Sequence, residues 1–218
     1  MSIENYRKKI EEIFNDLDVI SGGVTTLKKL GEIATIKGGN GFPIKYQGIT
    51  DDNLIPFYKV GDMNSAQNNI YMMQANNYVE EAIILDEIKG TIFEPNTIIF
   101  PKVGMAIKTN KKRLLTRRAA IDNNVMAIVV NEKAGVLTKF LFEYFVFVVD
   151  LNDYASGANP PSISASNISE LKIPVPPLDV QQKIIDECEA YESKIAEAEK
   201  KLEELKGKTN EILKKYLN

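Results

Sequence analysis

Seven cations lie within 27 positions of this sequence: Lys102, Lys108, Lys111, Lys112, Arg113, Arg117 and Arg118, with no acidic residue between positions 95 and 121. The chemistry they offer is anion binding. Lysine and arginine attract phosphates and gain from counterion release, and arginine can grip a guanine edge through a bidentate pair of hydrogen bonds. The 218-residue chain carries a formal charge of −3, so the other 191 residues sum to −10. That imbalance argues against indiscriminate binding of polyanions and for one located patch. Asn110-Lys111-Lys112-Arg113 reads as a turn that presents its charges; the competing reading is a solvated basic loop with no partner.

Other chemistry is thinly represented. There is no histidine, which removes Ser-His-Asp triads, imidazole bases and histidine-ligated metals. A lone cysteine, Cys188, cannot form an intrachain disulfide or a multi-cysteine zinc or iron–sulfur site. No metal site is expected, and the composition suits a binding protein better than an enzyme. Gly38-Gly39-Asn40-Gly41 lacks both the Gly-Lys-Ser/Thr ending of a Walker loop and the GxGxxG spacing, so it reads as a turn. Asn159-Pro160-Pro161-Ser162 is similar to the Asn-Pro-Pro-aromatic motif of amino-group DNA methyltransferases. Serine replaces its aromatic, however, no strand leads into it and no glycine-rich cofactor motif precedes it.

The elements that must position these residues divide the chain into three. In the first 23 residues Ile3, Tyr6, Ile10, Ile13, Leu17 and Ile20 alternate at steps of 3 and 4, the seam of a helix packed on another helix. Ser21-Gly22-Gly23 then stops it. Between residues 24 and 177, β-rich runs (54–60, 70–73, 97–103 and 125–130) alternate with turn clusters, and 137–149 has helical spacing, so a mixed α+β domain is expected. Residues 178–218 form one long helix. Ile184, Cys188, Tyr191, Ile195, Ala198, Leu202, Leu205, Thr209, Ile212 and Tyr216 recur at steps of 4 and 3, with ten acidic residues and eight lysines between positions 179 and 215. Four heptads of that register predict a coiled coil of roughly 60 Å, too long to fold back on its own domain along its whole length. Cys188 at a seam position is read as a small core residue. The longest apolar stretch, 137–149, contains Lys139 and Glu143 and falls short of the ~20 residues that span a bilayer. The N-terminus lacks a signal-peptide apolar block, and a cytoplasmic location with no membrane partner is expected.

Several segments resemble one known family. Leu30-Gly31-Glu32-Ile33, Lys37-Gly38-Gly39 and Ile55-Pro56-Phe57-Tyr58-Lys59-Val60-Gly61-Asp62-Met63 look like the opening of a target recognition domain. Ile99-Phe100-Pro101-Lys102-Val103-Gly104 and Ala120-Ile121-Asp122-Asn123-Asn124-Val125-Met126 look like its middle motifs. Residues 161–168, 173–178 (Ile-Pro-Val-Pro-Pro-Leu) and Gln181-Gln182-Lys183-Ile184 resemble the junction between that domain and a conserved helix. The family is the DNA specificity (S) subunit of type I restriction–modification systems, and the likeness runs from about residue 28 to the C-terminus.

The resemblance implies a non-catalytic protein that binds double-stranded DNA and holds methyltransferase subunits, and through them a restriction subunit, at a split target. No cofactor is expected in this chain; S-adenosylmethionine belongs to the partner methyltransferase. Family members carry two recognition domains and two long spacer helices, whereas this sequence has one of each. The sequence is therefore expected to be either a half-size subunit that pairs with a second copy through the 178–218 helix, with Ile184, Cys188, Tyr191, Ile195, Ala198, Leu202, Leu205 and Ile212 facing the partner, or one half of a gene product that has been cut or rearranged. Residues 1–23 would be an N-terminal helix packing on that coiled coil, and 24–177 the recognition domain. Within it, Lys102, Lys108, Lys111, Lys112 and Arg113 are expected to meet phosphates, and Arg117 or Arg118 to reach base edges. The loop Gly38–Tyr46, with Asn40, Lys45 and Tyr46, is a second candidate for base contact; its competing reading is a structural turn. Two further readings stand beside this one: a coiled-coil assembly protein whose basic loop is incidental, and a methyltransferase using Asn159-Pro160-Pro161.

Overall fold

Strands covered on both faces read as unbroken apolar runs, and two such runs, Ile98-Ile99-Phe100 and Val125-Met126-Ala127-Ile128, are buried at every position. They lie at the centre of the computed structural model, which describes residues 2–157 and 159–217, the side chains of 210–212 and 215–217 excepted. In chain order the elements are α1 (Ile3–Asn15), α2 (Leu17–Ile20), β1 (Thr26–Lys29), α3 (Leu30–Ile33), β2 (Ala34–Gly38), β3 (Ile55–Tyr58), β4 (Tyr71–Met72) and β5 (Tyr78–Val79). There follow β6 (Ile98–Pro101), β7 (Arg113–Leu115), β8 (Ala120–Ile121), β9 (Val125–Val130), α4 (Thr138–Phe147), α5 (Ala165–Ser169), β10 (Lys172–Val175) and α6 (Leu178–Leu217). This is the mixed α+β domain with a short N-terminal helix and a long C-terminal helix that the sequence patterns predict.

The strands form a five-stranded sheet in the order β2-β9-β6-β7-β4, a three-stranded sheet β5-β3-β8, and a ribbon of β1 with β10. Alternation along β9 and β6 assigns their two faces. Met126, Ile128, Ile98 and Phe100 point into a large core shared with α1, α4, α5 and α6. Val125, Ala127 and Ile99 point into a smaller one with Tyr58, Met63, Met72 and Leu115. The β1–β10 ribbon joins the first strand after α1 to the last before α6, in register Thr26↔Val175 to Lys29↔Lys172, so the chain closes on itself before α6 departs.

Gln181 fixes the angle of that departure. It is fully buried in the first turn of α6. Its amide nitrogen donates to the carbonyls of Pro176 (2.8 Å) and Gly135 (2.9 Å), and its amide oxygen accepts from the backbone N–H of Leu137 (2.8 Å). One side chain thus ties the approach to α4 to the start of α6, a role that the sequence reading had not assigned.

The seam of α6 splits into two parts. Ile184, Cys188 and Ile195 are buried in the chain's own core, against α1 and α4. Tyr191 stacks obliquely on Tyr6 of α1, with ring centroids 6.1 Å apart. This corrects the expectation that these residues face another subunit: α1 supplies the partner helix in cis. Burial pushes the Cys188 thiol up, with Glu143 and Glu192 adding to the effect, as expected of a core cysteine rather than a reactive one. Ala198 is half-buried, while Leu202 and Leu205 are exposed, as is Leu213 one turn or two further on. The Ile212 side chain, also assigned to the seam, lies outside the described residues. No described helix is long and apolar enough to cross a membrane.

Candidate nucleic-acid interface

The basic segment 95–121 does not form one surface. Lys112 and Arg113 are 3% and 9% exposed. The Lys112 ammonium donates to the Val149 carbonyl (2.6 Å) and to Asn110 Oδ1 (2.7 Å), and burial brings its pKa down to about 8. Arg113 spends its donors on the carbonyls of Asn68, Lys112 (2.8 Å) and Met63 (3.2 Å). Both side chains satisfy loop carbonyls that have no strand partner, which is the physical reason they are inside, and neither can reach a phosphate.

Other assigned residues already have partners. Arg117, half-buried, holds the carbonyls of Asp52 (2.8 Å) and Leu54 (3.0 Å). Arg118 forms a bidentate pair with Glu81 (2.9 and 2.6 Å) and reaches Glu94 at 3.4 Å. Lys45 pairs with Glu87 at 2.8 Å, and the Tyr46 hydroxyl donates to the same carboxylate. Lys111 donates to Asn64 Oδ1, and Lys108 is exposed.

Two of the assigned residues, Asn40 and Lys102, meet at one end of the sheets. There β2 runs into Gly39, whose N–H donates to the Val125 carbonyl (3.1 Å), and Asn40, whose N–H donates to the Ile121 carbonyl (3.0 Å). The approach is so close that a Cβ on Gly39 would sit 2.1 Å from Ile121 O and 2.4 Å from Asp122 O. Glycine is required at this position for backbone contact, since its φ is not in the left-handed region. Lys102 follows β6, its N–H bonded to the Asn124 carbonyl (2.9 Å), and its ammonium lies 2.8 Å from where a Gly38 Cβ would be. The turn between β8 and β9 is pinned by Asp122, which accepts from Asn124 N–H at 2.7 Å. Burial raises the Asp122 pKa; hydrogen bonds from Asn124 and the positive charge of Lys59 oppose that rise.

Three lysines absent from the sequence assignment join them. Lys37 is exposed on the edge strand β2. Lys59 follows β3, whose Tyr58 carbonyl accepts from Asp122 N–H (2.9 Å), and its ammonium lies over the Phe42 ring at 5.6 Å. Lys89 is exposed, and its carbonyl accepts from the Asn40 side-chain amide (3.4 Å). Among the described residues, Lys37, Lys59, Lys89 and Lys102 make no ion pair with a carboxylate. The four stand on segments that reach the same end of the sheets as Asn40, without a direct ion pair, a surface that suits phosphates. The four lie 22, 30 and 13 positions apart in sequence, so no charge-density window collects them. The signal available was that Lys37 and Lys59 each stand within one or two residues of a glycine in the quoted motifs.

Asn159-Pro160-Pro161 is exposed or half-buried on a loop closed by the Ser156–Ser162 bridge, with no strand delivering it to a cleft. No group of acidic or cysteine side chains that could hold a metal occurs among the described residues.

Residues 25–207 match the family model of the type I restriction modification DNA specificity domain. The chain belongs to that family. It is a family of specificity domains rather than of catalytic ones. A curated relative, the type I restriction enzyme MjaIX specificity subunit of Methanocaldococcus jannaschii, is 24% identical over 217 residues, covering 96% of this chain and 48% of its own. The specificity domain described here thus spans about half the length of that relative. Among solved structures, a chain from a study of complex assembly and conformational transition in a type I R-M system superposes with a TM-score of 0.69 at 13% identity, over 96% of this chain and 53% of that one. The HsdS subunit from Thermoanaerobacter tengcongensis gives 0.60 at 13% identity over 91% and 48%. The S subunit from M. genitalium gives 0.59 at 16% over 98% and 52%. At these identities the superpositions establish the fold.

Proposed function

We propose that this chain is a half-size DNA specificity subunit. It reads one half of a bipartite target in double-stranded DNA and docks a methyltransferase subunit, which brings S-adenosylmethionine, and through it a restriction subunit. It performs no chemistry itself. The observation that carries the DNA-binding part is the set of unpaired lysines, Lys37, Lys59, Lys89 and Lys102, gathered with Asn40 at one end of the sheets. In a chain of net charge −3, four cations in one place without a direct ion pair among the described residues favour a polyanionic partner. Family membership makes that partner DNA.

The test is the salt dependence of DNA binding by the chain assembled with its methyltransferase subunit. Each of Lys37→Gln, Lys59→Gln, Lys89→Gln and Lys102→Gln that removes a phosphate contact flattens the slope of log K against log salt by about 0.9. Lys112→Met, which removes a buried brace, leaves the slope unchanged while lowering stability. Four unchanged slopes would remove this end of the sheets from the interface.

Pairing with a second copy belongs to the same reading and is supported by the free half of α6. Leu202, Leu205 and Leu213 are 46%, 52% and 49% exposed and fall within a narrow arc of a 3.6-residue helix. Two such helices side by side would cover them and set two recognition domains apart, so that a two-fold dimer reads an inverted repeat. Light scattering is expected to give twice the 24.4 kDa chain mass, reverting to the single mass in the Leu202→Asp/Leu205→Asp variant. A single mass for the unaltered chain would oppose self-pairing.

A further inference from the structure

We infer that Ile44 reads a base pair, placing its side chain against the C5-methyl edge of a thymine in this chain's half of the target; the inference rests on the DNA-recognition reading above and names a residue within it. Ile44 is 86% exposed, more so than any other large apolar side chain among the described residues. A single exposed aliphatic residue is ordinary on a protein surface. The loop that carries this one is not.

Its turn is closed by hydrogen bonds from Tyr46 N–H to the Pro43 carbonyl (3.1 Å), from Gln47 N–H to the Ile44 carbonyl (3.0 Å) and from the Gln47 amide to the Phe42 carbonyl (3.3 Å). On one side Phe42 stacks on Phe57, with centroids 4.0 Å apart and planes at 16°. On the other, Lys45 and Tyr46 both hold Glu87. The polar side chains of the tip are therefore engaged, and Ile44 is the one left facing solvent on a braced backbone. A side chain presented in this way loses little conformational freedom on binding.

Charge indicates which partner it meets. Phe42 carries the Lys59 ammonium over its ring at 5.6 Å, and Asn40, two residues earlier, is bonded to the Lys89 backbone. The loop is thus continuous with the unpaired lysines, which would hold DNA phosphates beside it. Among base edges in the major groove, the thymine methyl is the feature that an aliphatic side chain complements.

The full chain, assembled with its methyltransferase subunit, is used to select from a pool of randomised duplexes. Binding to the selected duplexes is then compared with that to the same duplexes made with deoxyuridine, which lacks the methyl. The unaltered protein is expected to prefer thymine at one position and to lose about fourfold on deoxyuridine there, the worth of one buried methyl. Ile44→Ala should bind both duplexes alike at that position, about fourfold below the unaltered protein on thymidine, with its melting temperature unchanged. If Ile44→Ala keeps the full discrimination, the inference falls while the DNA-recognition reading stands. If the unaltered complex selects no sequence at all, both fall.

Discussion

Gly39→Ala is expected to destabilise the protein by about 3 kcal/mol, at the upper end of ordinary overpacking, because the added carbon meets backbone on two sides. Its Cβ would lie 2.1 Å from Ile121 O, 2.5 Å from Ile121 C and 2.4 Å from Asp122 O. These atoms belong to the end of β8, which is parallel-paired to β3 and bridged to Asn40, so no rotamer change can relieve the overlap. In a chain of this size the melting temperature should fall by roughly 6–12 °C. DNA binding should fall with it, since the same contact holds Asn40 beside Lys89 and Lys59. Neighbouring glycines provide the controls. At Gly38 the nearest atom is the movable Lys102 ammonium at 2.8 Å, and at Gly41 nothing lies within 4 Å. Alanine at either should change stability by no more than about 1 kcal/mol. Three glycines within four residues thus give separable outcomes in one thermal-melt series. Equal effects at all three would contradict the close approach of β2 to β8.

Lys139→Met should cost about 1–2 kcal/mol at pH 8, because it removes the ammonium that lets the buried Glu143 carboxyl ionise at about pH 7; without it the carboxyl keeps its proton, at about 1.4 kcal/mol for each pH unit above 7. Glu143 of α4 is fully buried, and neither of its oxygens has a well-aligned hydrogen bond. Its compensation is the Lys139 ammonium, 2.6 Å from Oε1, which lies 3.4 Å from Glu192 of α6 as well. Two carboxylates share one ammonium, which lies over the Tyr71 ring at 5.7 Å, and both raise the pKa of the Cys188 thiol. Burial first, and the Glu192 charge second, raise the Glu143 pKa to about 7 against the pull of Lys139. The folded value lies above the ordinary 4.5, so the native state binds the proton more tightly than the unfolded chain does. The stability this contributes is complete below about pH 4.5 and is lost as pH rises through about 7. Urea midpoints should therefore decline between those values and level off above about pH 7 for the unaltered protein, and keep declining above pH 7 for Lys139→Met. Glu143→Gln should flatten the decline and be at least as stable as the parent at pH 8. Equal urea midpoints for Lys139→Met and the parent from about pH 7 to about pH 9 would mean that the carboxylate finds water or another partner.

The same cluster shows what could and could not be read in advance. Leu137–Val149 was recognisable as a helix from its spacing, and Lys139 and Glu143 looked there like charges that merely forbid a membrane span. Their actual position is the joint between α4 and α6, because Glu143 at i+4 from Lys139 faces the seam of another helix 50 residues on. The basic segment failed in the opposite way. By composition Lys112 and Arg113 are surface charge, yet they lie inside, where carbonyls of Met63, Asn68 and Val149 lack strand partners and need donors. Composition records that a donor exists; only the fold shows that a carbonyl is waiting for it. Lys37, Lys59 and Lys89 carry no mark in the sequence, because nothing local distinguishes a lysine without an ion pair from a paired one.

By itself, the sequence determined the elements: where apolar residues alternate, where glycine interrupts, how long the last helix runs, and which family's motifs are present. These are local properties, set by backbone preference and by periodicity within one segment. Tertiary structure alone decided the pairing of charges and the fate of the seam. An ion pair or a helix contact is made between segments tens of residues apart, and its free energy depends on distance and dielectric rather than on neighbours in the chain. That is why α1 could take the first half of the α6 seam in cis while leaving Leu202, Leu205 and Leu213 exposed. It is also why Lys102, alone among the seven clustered cations, stands with the scattered Lys37, Lys59 and Lys89 at the end of the sheets, none of the four in an ion pair with a carboxylate among the described residues.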